Sequence, residues 1–471
     1  MSCRRLTDRL KNKECAILGL GVSNLPLAEL LLSEGIRVTV YDKKPPEELG
    51  EAALALGKRG VRFVCGEDCF ENIEGDVIFR SPGIRPDKAG IVKALSRGAE
   101  LTSEMECFIS NTPARTFAIT GSDGKTTTTT LTGLFLGSAG STFVGGNIGT
   151  PLLDKTDEMS EKDFAVLELS SFQLMTLCDG PEAVAITNVS PNHLDWHTDE
   201  EEYARAKYNI VGKRTKRVVL NADFKRTYEF GLELLRQGGR EIIFFSSAKT
   251  PRDIPSGACL TYLDGDTVSF FDGKETTPVL ERKDILLPGK HNIENYMTAI
   301  SLTLGLVDRS VYRKTAMSFG GVEHRLELVR RIGGVDYYNS SIDSSPTRTA
   351  AALSALCGRD VVAICGGYDK NLSYEPLAKS LCDSVRAVVL TGATAKKIMK
   401  ALDESPDYDP ERLTVVHEPS FEEAVKKASA LAREGGCVIL SPASASFDRF
   451  KNFAERGRYF KRLVCELETE N

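Results

Sequence analysis

Ala118-Ile119-Thr120-Gly121-Ser122-Asp123-Gly124-Lys125-Thr126-Thr127 decides how the chain is to be read. An apolar run feeds a glycine turn, and a lysine with two hydroxyl residues then opens a helical stretch. Gly121 and Gly124 permit backbone angles closed to other residues, so the turn can curl its N–H groups around an anion. The positive end of the following helix dipole falls at the same place. Lys125 adds a full charge for the outer phosphates of a nucleoside triphosphate, and the Thr126 hydroxyl suits Mg²⁺. The expected ATP cradle is thus Gly121, Ser122, Asp123, Gly124, Lys125, Thr126 and Thr127. It is the short form G-x-x-G-K-T, because Ile119 stands where the longer loop has its first glycine.

Outward from that loop, apolar runs of strand length recur at 16–18, 38–41, 77–79, 165–169, 183–187, 218–220, 361–365, 387–390 and 437–441. Helical patterns follow several of them, as at 25–33 and 422–432. Strand–helix alternation predicts an α/β chain of mainly parallel sheets with flanking helices, whose ligands bind at the carboxyl ends of strands. With 471 residues the chain exceeds one core, and roughly 150 residues per domain gives about three. Polar breaks at 110–115 and 318–322 place the divisions, so the domains expected are 1–104, 105–321 and 322–471. The Gly-, Asp- and Thr-rich segment 250–283 reads as an antiparallel excursion inside the middle domain.

Sixty basic against 66 acidic side chains leave a net charge of −6, which argues against a broad nucleic-acid-binding face. The charged start Met1-Ser2-Cys3-Arg4-Arg5 and the short apolar run at 15–20 do not make a signal peptide, and no apolar stretch is long enough for a membrane span. Twelve cysteines are scattered, with one close pair, Cys65 and Cys69, and no second pair to complete a zinc site. A cytoplasmic monomer with reduced thiols, without nucleic-acid or membrane partners, is expected.

Other polar clusters lie at the ends of predicted strands. Val144-Gly145-Gly146-Asn147-Ile148-Gly149 is a second glycine-rich loop. Glu168 falls within a strand that should be buried, and a buried carboxylate calls for a cation or a metal. His193, one of five histidines, follows the run 183–187 in the same way. Lys207 lies in a helical pattern where the helix alone favours a side chain stretched to solvent. The basic cluster Lys213-Arg214 and Lys216-Arg217 reads as a solvated face. Near the N-terminus, Leu18-Gly19-Leu20-Gly21-Val22-Ser23-Asn24 with Asp42 makes a partial dinucleotide fingerprint, with Asn24 in place of the third glycine. Taken alone, it leaves an NAD site open.

In combination and in order, residues 120–127, 145–149, 167–173, 188–195, Lys207, His291-Asn292 and His324-Arg325 resemble the Mur ligase family over nearly the whole chain. Leu169-Ser170-Ser171-Phe172-Gln173 and the segment 440–448 favour its D-glutamate-adding branch. The resemblance implies a Rossmann-like first domain, a P-loop central domain and a Rossmann-like third domain. It implies an ATP-dependent ligase that joins D-glutamate to UDP-N-acetylmuramoyl-L-alanine through an acyl phosphate, in peptidoglycan precursor synthesis. Lys125 would hold the γ-phosphate. Thr126 and Glu168 would hold one Mg²⁺, and His193 with a carbamate on Lys207 a second. Asn292, Asn295 and Arg325 would approach the nucleotide. Gly21, Asp42, Ser81, Pro82, Gly83, Asn147, Ser170 and Gln173 would contact the UDP-linked substrate, and Lys370, Ser446 and Phe453 the D-glutamate. One departure is Asn339-Ser340-Ser341-Ile342-Asp343-Ser344-Ser345, where relatives carry an acidic and a basic residue at the positions of Ser340 and Ile342. Another Mur or folylpolyglutamate-type ligase, or a non-catalytic nucleotide-binding relative, remains an alternative.

Overall fold

The structure is a computed structural model that describes residues 2–191, 196–287 and 289–467. Among them, three sheets carry the architecture. The first contains β1 (Glu14–Leu18), β2 (Arg37–Asp42), β3 (Arg62–Cys65), β4 (Val77–Arg80) and β5 (Glu100–Thr102). Its order is β3-β2-β1-β4-β5, with every pairing parallel. Residues 15–18 and 77–80 are buried throughout, the unbroken pattern of central parallel strands. The strand order reverses between β1 and β4, where open α/β sheets bind ligands.

The second sheet contains β6 (Arg115–Thr120), β7 (Thr142–Gly146), β8 (Phe164–Glu168), β9 (Ala183–Ile186), β10 (Arg217–Asn221), β11 (Glu241–Ser246), β12 (Cys259–Asp264), β13 (Thr267–Phe271) and β14 (Thr276–Glu281). They run in the order β14-β13-β12-β11-β10-β9-β6-β8-β7. Pairings from β7 through β12 are parallel, whereas β13 and β14 add antiparallel, as the segment 250–283 suggested. The third sheet contains β15 (Glu327–Ile332), β16 (Val335–Asn339), β17 (Val361–Cys365), β18 (Ala387–Leu390), β19 (Thr414–His417) and β20 (Cys437–Leu440). Its order is β15-β16-β20-β17-β18-β19, antiparallel only at β15.

Two compact units result: Met1–Asp284 with Lys290–Ala316, and Ile285–Gly289 with Met317–Asn471. The first unit holds two sheets because one apolar cluster runs between them. Leu6, Leu10, Phe108, Leu152 and Leu153 belong to it together with Val40 and Val184 from the sheets. Such continuous burial is what makes two layers behave as one body.

Local propensity alone would not form the helix Lys125–Gly137, since β-branched threonines at 126–130 disfavour helix. Burial decides it. Thr128, Thr129 and Thr132 are inside, and Thr130 and Thr132 hydroxyls donate back to the carbonyls of Thr126 and Thr128. The basic cluster at 213–217 is only partly a solvated face. Arg217 donates to the carbonyls of Leu302 (3.1 Å) and Leu304 (2.9 Å), closing the negative end of the helix Lys290–Thr303. No helix among the described residues is long and apolar enough to cross a membrane.

Candidate active site

At the end of β6 the chain turns through Gly121 (φ +151°) and Gly124 (φ +78°), and Gly124 caps the helix Lys125–Gly137. Both glycines are required by space as well as angle. A Cβ on Gly121 would lie 1.8 Å from Thr187 Oγ1, and one on Gly124 would lie 2.4 Å from Asn295 Oδ1. The loop is braced from the end of β9. Asn188 Oδ1 accepts from the N–H groups of Ser122 (3.0 Å) and Asp123 (2.9 Å), and Thr187 Oγ1 donates to the Asp123 carbonyl (2.5 Å). Two N–H groups that the sequence reading assigned to a phosphate are therefore engaged by Asn188. Lys125 folds over its own loop, Nζ donating to the carbonyls of Gly121 (2.9 Å) and Ser122 (3.0 Å). Thr126 and Thr127 sit half-buried in the first turn. Asn295 and Asn292 stand alongside: Asn295 Oδ1 accepts from Thr128 Oγ1, and its Nδ2 donates to Asn292 Oδ1, each at 3.2 Å.

Glu168 ends β8 and is 2% exposed. Asn147 Nδ2 donates to its Oε1 at 2.8 Å, while Oε2 is buried with no hydrogen-bond partner among the described residues. An anionic oxygen left in that state is the arrangement a bound cation completes, so the donor set fits Mg²⁺. His193 lies outside the described residues. Lys207 is buried, which corrects the solvent-facing reading of its helix. The helix Glu200–Tyr208, capped by Asp199, brings Tyr203 and Lys207 to one face. Lys207 Nζ donates to the Gly121 carbonyl at 2.8 Å and lies 4.5 Å from the centre of the Tyr203 ring, whose hydroxyl is 3.0 Å from Ser122 Oγ. Burial first, and the charge of Lys125 second, hold its amine well below the usual lysine range.

In the first sheet, the residues expected at the UDP-linked substrate converge at the switch point. Leu20 N–H donates to Asp42 Oδ2 (2.8 Å), and Ser81 N–H to the Leu18 carbonyl (3.0 Å). Asn24 replaces the missing glycine by donating to the Gly19 carbonyl (2.8 Å). Gly21 has open space where a Cβ would stand and no positive φ, so neither space nor angle requires glycine there. Pro82 and Gly83 follow Arg80, whose buried guanidinium donates to the carbonyls of Ile84 (2.8 Å) and Phe172 (2.8 Å). Ser170 and Gln173 are joined in a capping box, Ser170 N–H donating to Gln173 Oε1 at 2.9 Å.

The second unit holds the remaining residues. Arg325 is exposed between His324 (φ +66°) and Leu326 (φ +45°). Lys370 is exposed after β17, and Phe453, half exposed, opens the helix Phe453–Glu466. Ser446 is buried, in the segment whose Ala445 carbonyl accepts from Tyr368 N–H at 2.8 Å. The departing segment 339–345 is packed inside. Asp343 Oδ2 accepts from Ser441 Oγ (2.8 Å), and burial pushes its carboxyl above the usual range.

Sequence reasoning missed Asn188, Tyr203, Arg80 and Arg456. Tyr203 was within reach, since it precedes Lys207 by one helical turn. Arg456 is 2% exposed and donates to Ser341 Oγ (3.0 Å) and to the carbonyls of Ser341 (2.9 Å), Ser444 (3.1 Å) and Ala445 (3.0 Å). It ties the departing segment to the Ser446 segment, and nothing near it in sequence signals that.

Comparison with known proteins gives the same family throughout. The chain matches the Mur ligase MurD-like N-terminal domain over 13–103, the Mur ligase middle domain over 119–303 and the Mur ligase glutamate ligase domain over 324–444. It is 45% identical over 466 residues to the UDP-N-acetylmuramoylalanine–D-glutamate ligase of Ruminiclostridium cellulolyticum, covering 98% of each chain. Identity to the enzyme of that name from Clostridium novyi is 45% over 464 residues, again with 98% of each covered. Two solved structures share the fold. UDP-N-acetylmuramoyl-L-alanyl-D-glutamate–2,6-diaminopimelate ligase has a TM-score of 0.56 at 17% identity, over 97% of this chain and 93% of that one. MurF ligase from Thermotoga maritima, solved in complex with ADP, has a TM-score of 0.51 at 17% identity, over 96% and 95%. With its loop chemistry, sheets and sequence in agreement, this chain belongs to the Mur ligase family.

Proposed function

We propose that the chain is an ATP-dependent carboxylate–amine ligase that adds D-glutamate to UDP-N-acetylmuramoyl-L-alanine in the cytoplasm, as a monomer. The observation that carries this reading is the phosphate loop of β6, with Lys125, Glu168 and Lys207 gathered at the carboxyl ends of neighbouring strands of one sheet. The division of labour follows the domains: 1–104 for the UDP-linked substrate, 105–321 for ATP and 322–471 for D-glutamate. Its relatives' names support the choice of D-glutamate as the amine.

A carboxylate resists amide formation because its oxygen leaves poorly. The alanyl carboxylate oxygen first bonds the γ-phosphorus of ATP, and the bond to ADP breaks. The D-glutamate nitrogen then bonds the carbonyl carbon of the acyl phosphate, loses a proton, and phosphate leaves. Positioning and charge neutralisation carry both steps. Lys125 stabilises the transferring phosphoryl group, and the Gly124–Thr127 backbone at the helix N-terminus fixes the triphosphate, with Asn188 holding the Ser122 and Asp123 N–H groups to shape the loop. Asn292 and Asn295 hold the nucleotide, and the family resemblance alone assigns Arg325 to it. Ser81, Pro82, Gly83, Asp42, Gly21, Asn147, Ser170 and Gln173 seat the UDP-linked acceptor, and Lys370, Ser446 and Phe453 the amino acid. Two Mg²⁺ ions, held by Thr126 and Glu168 and by His193 with carbamylated Lys207, would neutralise phosphate charge. Carbamylation suits Lys207: its buried amine has no carboxylate in salt-bridge reach among the described residues, and the modification would convert a repelling ammonium into an anion.

The test is incorporation of radiolabelled D-glutamate with UDP-N-acetylmuramoyl-L-alanine, ATP and Mg²⁺. Wild type should incorporate label and Lys125→Ala should lose nearly all of it. Stimulation by L-lysine, diaminopimelate or L-glutamate in place of D-glutamate would overturn the choice of amine. For Lys207, a carbamate resonance in ¹³C NMR with labelled bicarbonate, absent from Lys207→Ala, is expected.

A further inference from the structure

One chain of hydrogen bonds joins two parts of the acceptor site through residues given no role above. It begins beside the Ser81–Gly83 loop. Arg85 donates through Nη2 to Glu202 Oε1 (2.9 Å), through Nη1 to Glu202 Oε2 (3.0 Å) and to the Trp196 carbonyl (2.7 Å). Glu202 Oε2 lies 3.2 Å from His197 Nδ1, and it also accepts from Thr198 N–H at 2.9 Å. His197 Nε2 lies 2.9 Å from Ser171 Oγ. Ser171 stands between Ser170 and Gln173, and Phe172 stacks on the imidazole, 5.6 Å away and inclined by 15°. The loop is pinned from the same side, since Trp196 Nε1 donates to the Gly83 carbonyl (3.3 Å).

Hydroxyl, imidazole and carboxylate in this order are the parts of a nucleophilic triad. Ser171 and His197, however, are each 2% exposed, so no substrate atom reaches the hydroxyl. A fixed relay is what burial leaves. Arg85, as its largest influence, holds Glu202 at about 2, and burial depresses His197. The imidazole is then neutral, its Nδ1–H donates to Glu202, and Nε2 accepts the Ser171 O–H.

We propose that His197 is a positioning residue for the UDP-linked acceptor. It carries the orientation of the Arg85–Glu202 pair to Ser171, and so holds Ser170–Gln173 in register with Ser81–Gly83. This rests on the assignment of those two segments to the acceptor. His197 lies on neither the phosphate loop nor the second unit and meets Tyr203 only edge-on, ring to ring at 5.3 Å, so its hydrogen-bonded effect falls on the acceptor among the three substrates.

The test uses the full chain and calorimetric binding of UDP-N-acetylmuramoyl-L-alanine without ATP, alongside KM for each substrate. His197→Ala should weaken acceptor binding by about ten-fold and Ser171→Ala by about five-fold, the scale of one or two hydrogen bonds. KM for ATP and for D-glutamate should stay within about two-fold. His197→Ala/Ser171→Ala should bind no more weakly than His197→Ala alone, because both act through one bond. Additive losses, equal shifts in all three KM values, or an unchanged Ser171→Ala would overturn the proposal. Should His197→Ala fail to fold, Ser171→Ala with Glu202→Gln completes the same cycle. Wild type that binds no acceptor overturns the functional reading and this proposal with it; wild type that binds while every variant binds equally overturns the positioning role alone.

Discussion

Gly124→Ala is the sharpest perturbation of the phosphate loop. Gly124 sits at φ +78°, where a side chain costs about 1–2 kcal/mol. The new Cβ would lie 2.4 Å from Asn295 Oδ1, against a normal separation of about 3.5 Å, so the Asn295 amide must swing aside. Its bonds with Thr128 Oγ1 and Asn292 Oδ1, both 3.2 Å, are then lost at about 1 kcal/mol each. The sum is about 3–4 kcal/mol. If ATP needs the loop as it stands, that sum is a loss of about 10²–10³ in kcat/KM for ATP. Steady-state kinetics with varied ATP, paired with thermal melting, reads both effects. Asn295→Ala alone forfeits about 2 kcal/mol, and the double variant should cost no more than Gly124→Ala, a non-additivity of about 2 kcal/mol. Strict additivity, or a Gly124→Ala enzyme within about two-fold of wild type, would refute the packing account.

Three further outcomes are expected. Glu104 is 4% exposed at a helix N-terminus, and burial raises its carboxyl from 4.5 to about 7. The helix dipole favours its anion by only about 0.3–1 kcal/mol, so burial wins. Because the folded-state pKa is the higher one, the folded chain holds a proton there that the unfolded chain releases, and stability falls as pH rises from 4.5 to about 7. Glu104→Gln should therefore melt higher than wild type at pH 8, by the equivalent of about 3 kcal/mol, and level with it near pH 4; an equal difference at both pH values would count against this. Arg456→Met should strand the three carbonyls it serves, costing about 3–5 kcal/mol in the second unit and raising KM for D-glutamate, as calorimetry and kinetics would read. Lys207→Met should raise the melting temperature in bicarbonate-free buffer by removing a buried amine, while with bicarbonate present its ligation falls at least about 10²-fold below wild type.

The phosphate loop and most of the parallel strands were legible in the sequence, whereas the reversal of strand order at β1 was not. Their signals are local: glycines at a strand end, β-branched runs bounded by turns, a lysine before hydroxyl residues. The antiparallel excursion at 250–283 was legible for the same reason, since composition shifts along the chain where pairing changes.

Which groups meet was decided by the tertiary structure. Lys207 and Gly121 are 86 residues apart, Ser122 and Asn188 are 66, and Arg456 and Ser341 are 115. Helix periodicity alone left Lys207 pointing to water, and only the packing of its helix against Ser171–Leu174 and the phosphate loop removes that water and sets its amine against Gly121. The sequence supplies the chemistry of each side chain and the local turn that aims it. Burial, and with it the worth of every charge and hydrogen bond in the site, exists only once the sheets close over those residues.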